Sequence, residues 1–133
     1  MRVVHAIEER HLDDLLALYH GVWWAGSRTR ADVERMLAGT DAVVGLVDDD
    51  ERLVAFCRAL SDGVYRAVVY DVIARDDLRG RGLGRRLMEA VLAHPAVAPC
   101  ESVALWCKPE MVALYRRFGF AEGVADLRLM LRS

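Results

Sequence analysis

Residues 71–94, DVIARDDLRGRGLGRRLMEAVLAH, join an apolar run to a glycine-arginine turn and then to an amphipathic segment. The apolar run predicts a strand, and the apolar residues at helical spacing after the turn predict a helix. Gly80, Gly82 and Gly84 carry no Cβ to obstruct a ligand, so the backbone can curl with its N–H groups inward. The helix adds unpaired N–H groups and the positive end of its dipole. This stretch therefore predicts a strand, a loop that binds a small anion, and a helix.

The same stretch concentrates positive charge, although the whole chain has a formal net charge of −2. Five arginines lie within twelve residues of it: Arg75, Arg79, Arg81, Arg85 and Arg86. We expect these side chains to make the loop positive, which favours phosphate oxygens as ligands. A plain glycine turn with solvated arginines is the alternative.

The spacing of the glycines separates three kinds of phosphate-binding loop. A Walker-type loop needs Gly-Lys followed by Ser or Thr, and the sequence contains none. A dinucleotide-binding fingerprint needs GxGxxG after the first strand of a βαβ unit, but Arg85 occupies the third glycine position. The third kind fits, because Arg79-x-x-Gly82-x-Gly84 resembles the (Gln/Arg)-x-x-Gly-x-(Gly/Ala) signature of the GNAT superfamily of acyl-CoA N-acyltransferases.

The composition is that of a globular protein, with 54% hydrophobic and 29% charged residues. A length of 133 residues predicts one domain, 1–133, around a single core. The opening MRVVHAIEERH has no long apolar run, so we expect neither a signal peptide nor a membrane anchor, and a cytoplasmic location. The three cysteines, Cys57, Cys100 and Cys107, lack disulfide or zinc-site spacing, and a pI near 6.1 makes nucleic acid an unexpected partner.

The predicted elements follow the order β-α-α-β-β-β-α-β-α-β along the chain. Periodicity and turn residues predict strands over 2–7, 42–47, 53–60, 64–74 and 103–107, and helices over about 10–20, 29–39 and 83–94. Pro109 fits the first turn of a fourth helix, and Gly119 fits its left-handed cap. Residues 120–131 are expected to contain a last strand or hairpin, broken near Gly123.

A second motif lies near the C-terminus, where residues 114–120 are Leu-Tyr-Arg-Arg-Phe-Gly-Phe. It resembles the (Leu)-Tyr-x-x-(Phe/Leu)-Gly-Phe that closes the second conserved block of the same superfamily, about thirty residues beyond the glycine turn. The two motifs and the elements around them cover nearly the whole chain. Lys108 and Met111 depart from the pattern, because members often carry Asn and Ala there, and the Asn commonly helps to hold the pantetheine arm.

The resemblance implies an α+β fold of the GNAT type, with a central, mostly antiparallel, splayed sheet flanked by about four helices. Acyl-CoA would enter the gap between the fourth and fifth strands. The backbone of Val72, Ile73 and Ala74 would pair with the pantetheine amides and polarise the thioester carbonyl. The pyrophosphate would be held by the glycine loop, which we define as Arg79, Gly80, Arg81, Gly82, Leu83, Gly84 and Arg85.

Amide formation from a thioester needs a neutral amine, a donor for the oxyanion and a proton for the departing thiolate. Tyr115 is the candidate acid, and a core tyrosine whose hydroxyl is satisfied elsewhere is the alternative. Asp71 is the candidate base, acting directly or through water. It could equally be a structural acid paired with an arginine.

The acceptor is expected between the first two helices, where Trp23, Trp24, Arg28 and Arg30 lie. An aromatic and basic wall would suit a small amine that also carries a carboxylate. A packed Trp pair with solvated arginines is the alternative reading of these residues, and a protein or peptide amine stays open as the acceptor.

The expected function is the transfer of an acetyl group from acetyl-CoA, the co-substrate, to a primary amine of a small molecule in a ternary complex. We expect no metal, no nucleic acid and no membrane among its partners, and the sequence allows a homodimer. Two other functions stay open: a non-catalytic acyl-CoA-binding sensor and a nucleotide-binding interaction module that uses the glycine loop.

Overall fold

A five-stranded sheet forms the centre of the computed structural model, which describes residues 1–132. Its strands are β1 (Arg2–Val4), β2 (Ala42–Val47), β3 (Leu53–Ser61), β4 (Arg66–Ala74) and β5 (Ser102–Leu105). They lie side by side in chain order, and all neighbours are antiparallel except the parallel pair of β4 and β5. The predicted mixed, mostly antiparallel fold is confirmed.

Four α-helices cover the sheet: α1 (Leu12–His20), α2 (Arg30–Ala38), α3 (Leu83–Ala93) and the short α4 (Val112–Arg116). Side chains along a strand alternate between the two faces, and the core is divided accordingly. Phe56 and Ile73 pack with α1 and α2, whereas the neighbouring Cys57 packs with α3. The sheet therefore separates an α1/α2 side from an α3 side.

Helix α3 forms because apolar residues recur on one of its faces. Leu83, Leu87, Met88 and Val91 are buried against the sheet, and each such burial is worth about 2 kcal/mol. The helix ends at Ala93 because the next residue precedes a proline and has an extended backbone.

The parallel pairing of β4 and β5 stops well before β4 does. It runs from Arg66 opposite Ser102 to Val69 opposite Leu105, while β4 continues to Ala74. Residues 70–74 are paired with β3 on one side only, and we call their other side the open edge of β4. The predicted splay between the fourth and fifth strands is present.

A β-bulge interrupts the pairing of β3 and β4 at this point. Phe56 lies opposite Ile73 and Arg58 opposite Tyr70, so one residue of β3 faces two residues of β4. Asp71, one of the two, has a left-handed backbone with a φ of +57°. The bulge re-aims the Asp71 side chain, which reaches helix α1.

The last predicted strand is wrong. Within residues 1–132, the segment after Phe120 contains a single 3-10 turn, Val124–Asp126, and no strand. Gly123, Ala125 and Asp126 all have left-handed backbones, which turn the chain out of an extended path. The residues that follow are exposed.

Helix α4 is shorter than the sequence predicts, since a 3-10 turn, Pro109–Met111, precedes it. Its predicted end is correct, because Gly119 has a φ of +88° and the Phe120 N–H donates back to the Tyr115 carbonyl. No helix within residues 1–132 has the length and apolar composition needed to cross a membrane.

Candidate functional site

The glycine loop combines two left-handed glycines with an uncapped helix start. Gly80 and Gly82 have φ values of +81° and +75°, and a Cβ built on either would meet no atom within 4 Å. These two glycines are therefore needed for their backbone conformation, and the space above them is open to a ligand. Gly84 differs, because its φ is ordinary and a Cβ there would lie 3.7 Å from Leu114 Cδ2.

The start of α3 presents unpaired N–H groups to that open space. Gly82 is the N-cap residue and no side chain caps the helix. The Arg86 N–H is bonded to the Gly82 carbonyl, so the N–H groups of residues 83–85 precede the first hydrogen bond of the helix. Together with the dipole they make an anion site from backbone alone.

The charges of the arginines around the loop are neutralised to a greater extent than the sequence predicts. Three are paired with carboxylates at 2.6–2.8 Å, in the pairs Arg75–Asp77, Arg79–Asp76 and Arg85–Glu89. Arg86 donates to the Met1 carbonyl. Exposed pairs of this kind are weak, but they lower the local positive potential, so the loop depends more on its N–H groups than on its arginines.

The three predicted pantetheine contacts lie on the open edge of β4. Ile73 is buried, and Val72 and Ala74 are half-buried. Ile73 and Ala74 also line a cleft of about 290 Å³, closed on its other side by the C-terminal end of α1. A larger hollow of about 390 Å³ lies beside α4 and is lined by residues other than the predicted ones.

Tyr115 packs its ring in the core on the α3 side, with an edge-to-face contact to Phe120. Its hydroxyl makes no hydrogen bond to any residue within 1–132, which differs from the alternative of a core tyrosine with a satisfied hydroxyl. Burial, with a smaller contribution from the nearby Cys107 and Cys57 thiols, raises the pKa of Tyr115 to about 12. The phenol therefore stays protonated and can donate.

Asp71 is held by three donors on a single oxygen. Its Oδ2 accepts from Tyr19 Oη at 2.8 Å, Arg28 Nη1 at 2.9 Å and Arg58 Nε at 2.8 Å. We call these four residues the Asp71 cluster. Burial alone would raise the pKa of Asp71, but the hydrogen bonds from Arg58, Tyr19 and Arg28 outweigh it and hold the pKa below its usual value. A carboxylate held in this way is a poor base.

Aromatic rings surround the two arginines of the cluster. The Arg28 guanidinium lies 4.5 Å from the ring centroid of Tyr19 and 5.4 Å from that of Trp24. Arg58 lies 5.0 Å from Tyr70, whose ring in turn contacts Trp106. The loop between α1 and α2, which contains Trp24 and Arg28, and the open edge of β4 therefore share one aromatic and basic surface.

Of the four predicted acceptor residues, Trp23 and Arg30 belong neither to the Asp71 cluster nor to the aromatic rings around its arginines. Trp23 is 81% exposed, and the Lys108 ammonium lies 5.7 Å from its ring centroid. Arg30 is bonded to Glu9 and Asp13 at the start of α2. The charge of Arg30 is thus paired with carboxylates away from the Asp71 cluster.

Sequence reasoning missed Tyr19, Arg58, Tyr70 and Trp106. Arg58 could have been noticed, because it is the one charged residue in the apolar run of residues 53–60. The others carry no such signal, since their contribution depends on the bulge in β4 and on contacts between residues that are far apart in the chain.

All three cysteines are free thiols in the structure. Residues 1–132 hold no group of three or more His, Cys, Asp or Glu side chains placed to bind a metal ion.

Residues 10–120 match the profile of the family described as "Acetyltransferase (GNAT) family". The chain is 44% identical over 70 residues to "Serotonin N-acetyltransferase 2, chloroplastic" of Oryza sativa subsp. japonica. The matched segment covers 53% of this chain and 35% of that protein. It is 32% identical over 125 residues to "GCN5-related N-acetyltransferase 1, chloroplastic" of Arabidopsis thaliana, with coverages of 93% and 63%. The chain thus spans between about one third and two thirds of these relatives.

A solved structure extends the similarity over the whole fold. A protein of Xanthomonas campestris pv. campestris, assigned to the GNAT family of acetyltransferases, superposes with a TM-score of 0.82 and 31% identity. The match covers 100% of this chain and 94% of that one.

Proposed function

Because this chain belongs to the acetyltransferase (GNAT) family, we propose that it transfers an acetyl group from acetyl-CoA to the primary amine of a small molecule. One observation carries the proposal: the open edge of β4 contains Asp71, the centre of the Asp71 cluster, and leads along the chain towards the glycine loop. Unpaired backbone groups, an anion site and a recognition surface thereby meet at one gap in the sheet. We also propose a cytoplasmic location, because all three cysteines are free thiols, as is usual in a reducing compartment.

The glycine loop and the open edge of β4 fit acetyl-CoA. The left-handed glycines keep the space above the loop free of Cβ atoms, and the N–H groups at the start of α3 suit a pyrophosphate. Val72, Ile73 and Ala74 would pair with the amides of the pantetheine arm through the N–H and C=O groups that β5 leaves free. A backbone N–H on the same edge would stabilise the oxyanion.

Tyr115 is the proposed proton donor. The amine nitrogen forms a bond to the acetyl carbon, the carbon–sulfur bond breaks, and the Tyr115 hydroxyl protonates the departing thiolate. A phenol whose pKa is about 12 gives up its proton to a thiolate unfavourably, so it must regain one at once. The proton that the nitrogen loses supplies it through water.

Asp71 has a positioning role in this proposal rather than the role of a base. Three hydrogen bonds occupy Oδ2 and hold the carboxylate in its charged form. The same bonds fix Arg28 and Arg58 at the side of the gap. Water, and not Asp71, then takes the proton that makes the amine neutral before it attacks. Asp71 acts through the arginines that it orients.

An amine panel with acetyl-CoA tests the proposal by the release of free CoA thiol. We expect release that depends on the amine and is absent without it. Acetyl-CoA binding without release from any amine would favour a non-catalytic sensor. A melting temperature raised by ATP but not by CoA would favour a nucleotide-binding module, and either result would contradict the proposed function.

We also propose that the chain forms a homodimer. β5 is paired with β4 alone among the strands of residues 1–132, so its second edge is free. Residues 127–131, Leu-Arg-Leu-Met-Leu, are exposed, and an extended backbone would place their three leucines on one face. The exposed segment of a second copy is a suitable partner for the free edge.

A further inference from the structure

The Asp71 cluster contains more positive than negative charge. Two guanidinium groups, Arg28 and Arg58, are paired with the one carboxylate of Asp71, which leaves a formal charge of +1. The side chains are 31%, 13% and 6% exposed respectively. Partial burial of an uncompensated charge is unfavourable, and an additional anion would relieve it.

The groups that face the cluster supply no second negative charge. Within residues 1–132, Arg28 and Arg58 have Asp71 as their one carboxylate partner within 4.0 Å. Tyr19 is neutral, because burial and the Asp71 charge raise its pKa, and burial likewise raises the pKa of the Cys57 thiol to about 12. Lys108, over the ring of Trp23 in the adjoining loop, adds a further positive charge.

The two arginines also have donors to spare. A guanidinium carries five N–H groups on three nitrogens. Arg58 uses Nε for Asp71 and Arg28 uses Nη1, which leaves both Nη atoms of Arg58 and Nη2 of Arg28 without a hydrogen bond to residues 1–132. Among residues 1–132, His11 Nδ1 is the one fully buried side-chain nitrogen or oxygen without a hydrogen-bond partner. The unbonded nitrogens of Arg28 and Arg58 are therefore accessible to solvent. Together these free N–H donors form a fork that matches the two oxygens of a carboxylate.

The location of this fork matters for the transfer reaction. Arg58 is paired across the sheet with Tyr70, the first residue of β4 beyond its last pair with β5. Its guanidinium lies over the Tyr70 ring, and Arg28 lies over Trp24. A carboxylate held there would place the rest of the ligand along aromatic rings beside the open edge of β4.

From this geometry, and resting on the proposed function, we infer that the acceptor is an amine that also carries a carboxylate, such as a free amino acid. Arg58 and Arg28 bind the carboxylate, and Tyr70 and Trp24 contact the apolar part. Arg58 is thus a specificity-determining residue that the spacing of the motifs does not reveal.

Pairs of amines that differ only by a carboxylate test the inference on the wild-type protein. Tryptophan with tryptamine, and phenylalanine with phenethylamine, are compared by kcat/KM for CoA release. We expect the carboxylate-bearing member to be better by about tenfold or more, mainly through a lower KM. Equal values, or a preference for the amine without the carboxylate, would overturn the inference while leaving the acetyltransferase activity in place.

Arg58→Met is the matching variant, because it keeps the length of the side chain and removes the charge. The preference within each pair should fall to about threefold or less. Arg52→Met is the control, since Arg52 also bonds a half-buried aspartate, Asp14, but lies away from the cluster. The control should keep the wild-type preference, and an equal loss in both variants would contradict the assigned role of Arg58.

A binding measurement decides the matter if no amine is acetylated. Calorimetry with 3-phenylpropionate and 3-phenylpropanol, which lack an amine, compares the carboxylate with a hydroxyl of similar size. We expect the carboxylate to bind wild type about tenfold tighter or more, and Arg58→Met to lose that difference. Equal affinities in wild type would refute the carboxylate site, whereas failure of acetylation alone would refute the proposed function.

Discussion

Tyr115 has a packed ring and a hydroxyl without a partner in residues 1–132, so the two roles considered for it now predict different results. Tyr115→Phe keeps the ring and removes the hydroxyl. If the phenol donates to the thiolate, kcat should fall by roughly 10². The melting temperature should change little, because no hydrogen bond within the described chain is lost. Steady-state kinetics at saturating acetyl-CoA, together with calorimetric melting, measure both.

Tyr19→Phe is the matched control for this substitution. The Tyr19 hydroxyl donates to Asp71, so its removal should lower the free energy of unfolding by about 1 kcal/mol. If Tyr115→Phe instead lowers stability and keeps full turnover, Tyr115 is a core residue and another group protonates the thiolate.

Asp71 is predicted to stabilise the fold in a manner that depends on pH. Its pKa in the folded protein is lowered, so its contribution is present above the unfolded pKa of about 3.9 and is lost as the pH falls through the folded pKa. Asp71→Asn leaves two arginines without their carboxylate and should cost about 3 kcal/mol at pH 7. The difference between the two proteins should shrink in acid. Urea unfolding at several pH values would contradict this prediction if the difference were independent of pH.

At the residue scale, the sequence pointed to residues in a motif or in an unusual loop, such as Arg28, and missed Arg58 and Tyr19, which lie in ordinary strand and helix patterns. Tyr115 and Asp71 could be singled out from their positions in known patterns. The choice between base and structural acid for Asp71 could not be made, because it depends on Arg58 and Tyr19 converging on one oxygen. That convergence follows from a bulge, which a strand pattern of period two does not predict.

At the scale of elements, the glycine loop offers a test with an internal control. Gly82 and Gly63 have nearly the same φ, +75° and +77°, and a Cβ at either would meet no atom within 4 Å. Valine at either position should therefore cost a similar 1–2 kcal/mol or so of stability. Only Gly82→Val places a branched side chain in the proposed pyrophosphate site. Its affinity for CoA should fall about tenfold or more, which corresponds to about 1.4 kcal/mol.

Calorimetric titration with CoA at a temperature where both variants are folded separates the two effects. If Gly82→Val and Gly63→Val bind CoA equally well, the glycine loop does not hold the pyrophosphate. Gly63 lies in the turn between β3 and β4, so an effect of Gly63→Val on CoA affinity would point to general destabilisation instead.

The glycine loop also shows that counting charged residues of one sign overestimates the local positive potential. The five arginines in and beside the loop predict strong positive potential, yet three of them are neutralised by acids two to four residues away. Those acids are visible in the same stretch as Asp76, Asp77 and Glu89. Counting them would have left the backbone N–H groups as the main anion ligands, in agreement with the geometry.

At the scale of the whole molecule, the order of elements was predictable because each has its own period and its own stop signals. The last segment was not. Residues 127–131 have leucine at every second position, as one face of a strand would, but a strand forms only where another strand accepts its hydrogen bonds. In the described chain the left-handed residues before this segment direct it into solvent, and β5 keeps a free edge.

In the proposed homodimer, residues 127–131 of one copy pair with the free edge of β5 in the other. Neighbouring residues on opposite faces of this segment allow a test. Leu129 would lie on the leucine face with Leu127 and Leu131, whereas Met130, which is 89% exposed, would lie on the other face with the arginines. Leu129→Asp should shift a dimer to monomer, because the charge would have to be buried against the β5 edge. Met130→Asp should leave the dimer intact.

Light scattering over a dilution series measures the oligomeric state of both variants, and hydrogen exchange reports whether residues 127–131 become protected. A wild-type monomer at the highest soluble concentration would contradict the dimer, and protection of the segment in that monomer would mean that it is paired with β5 of its own chain.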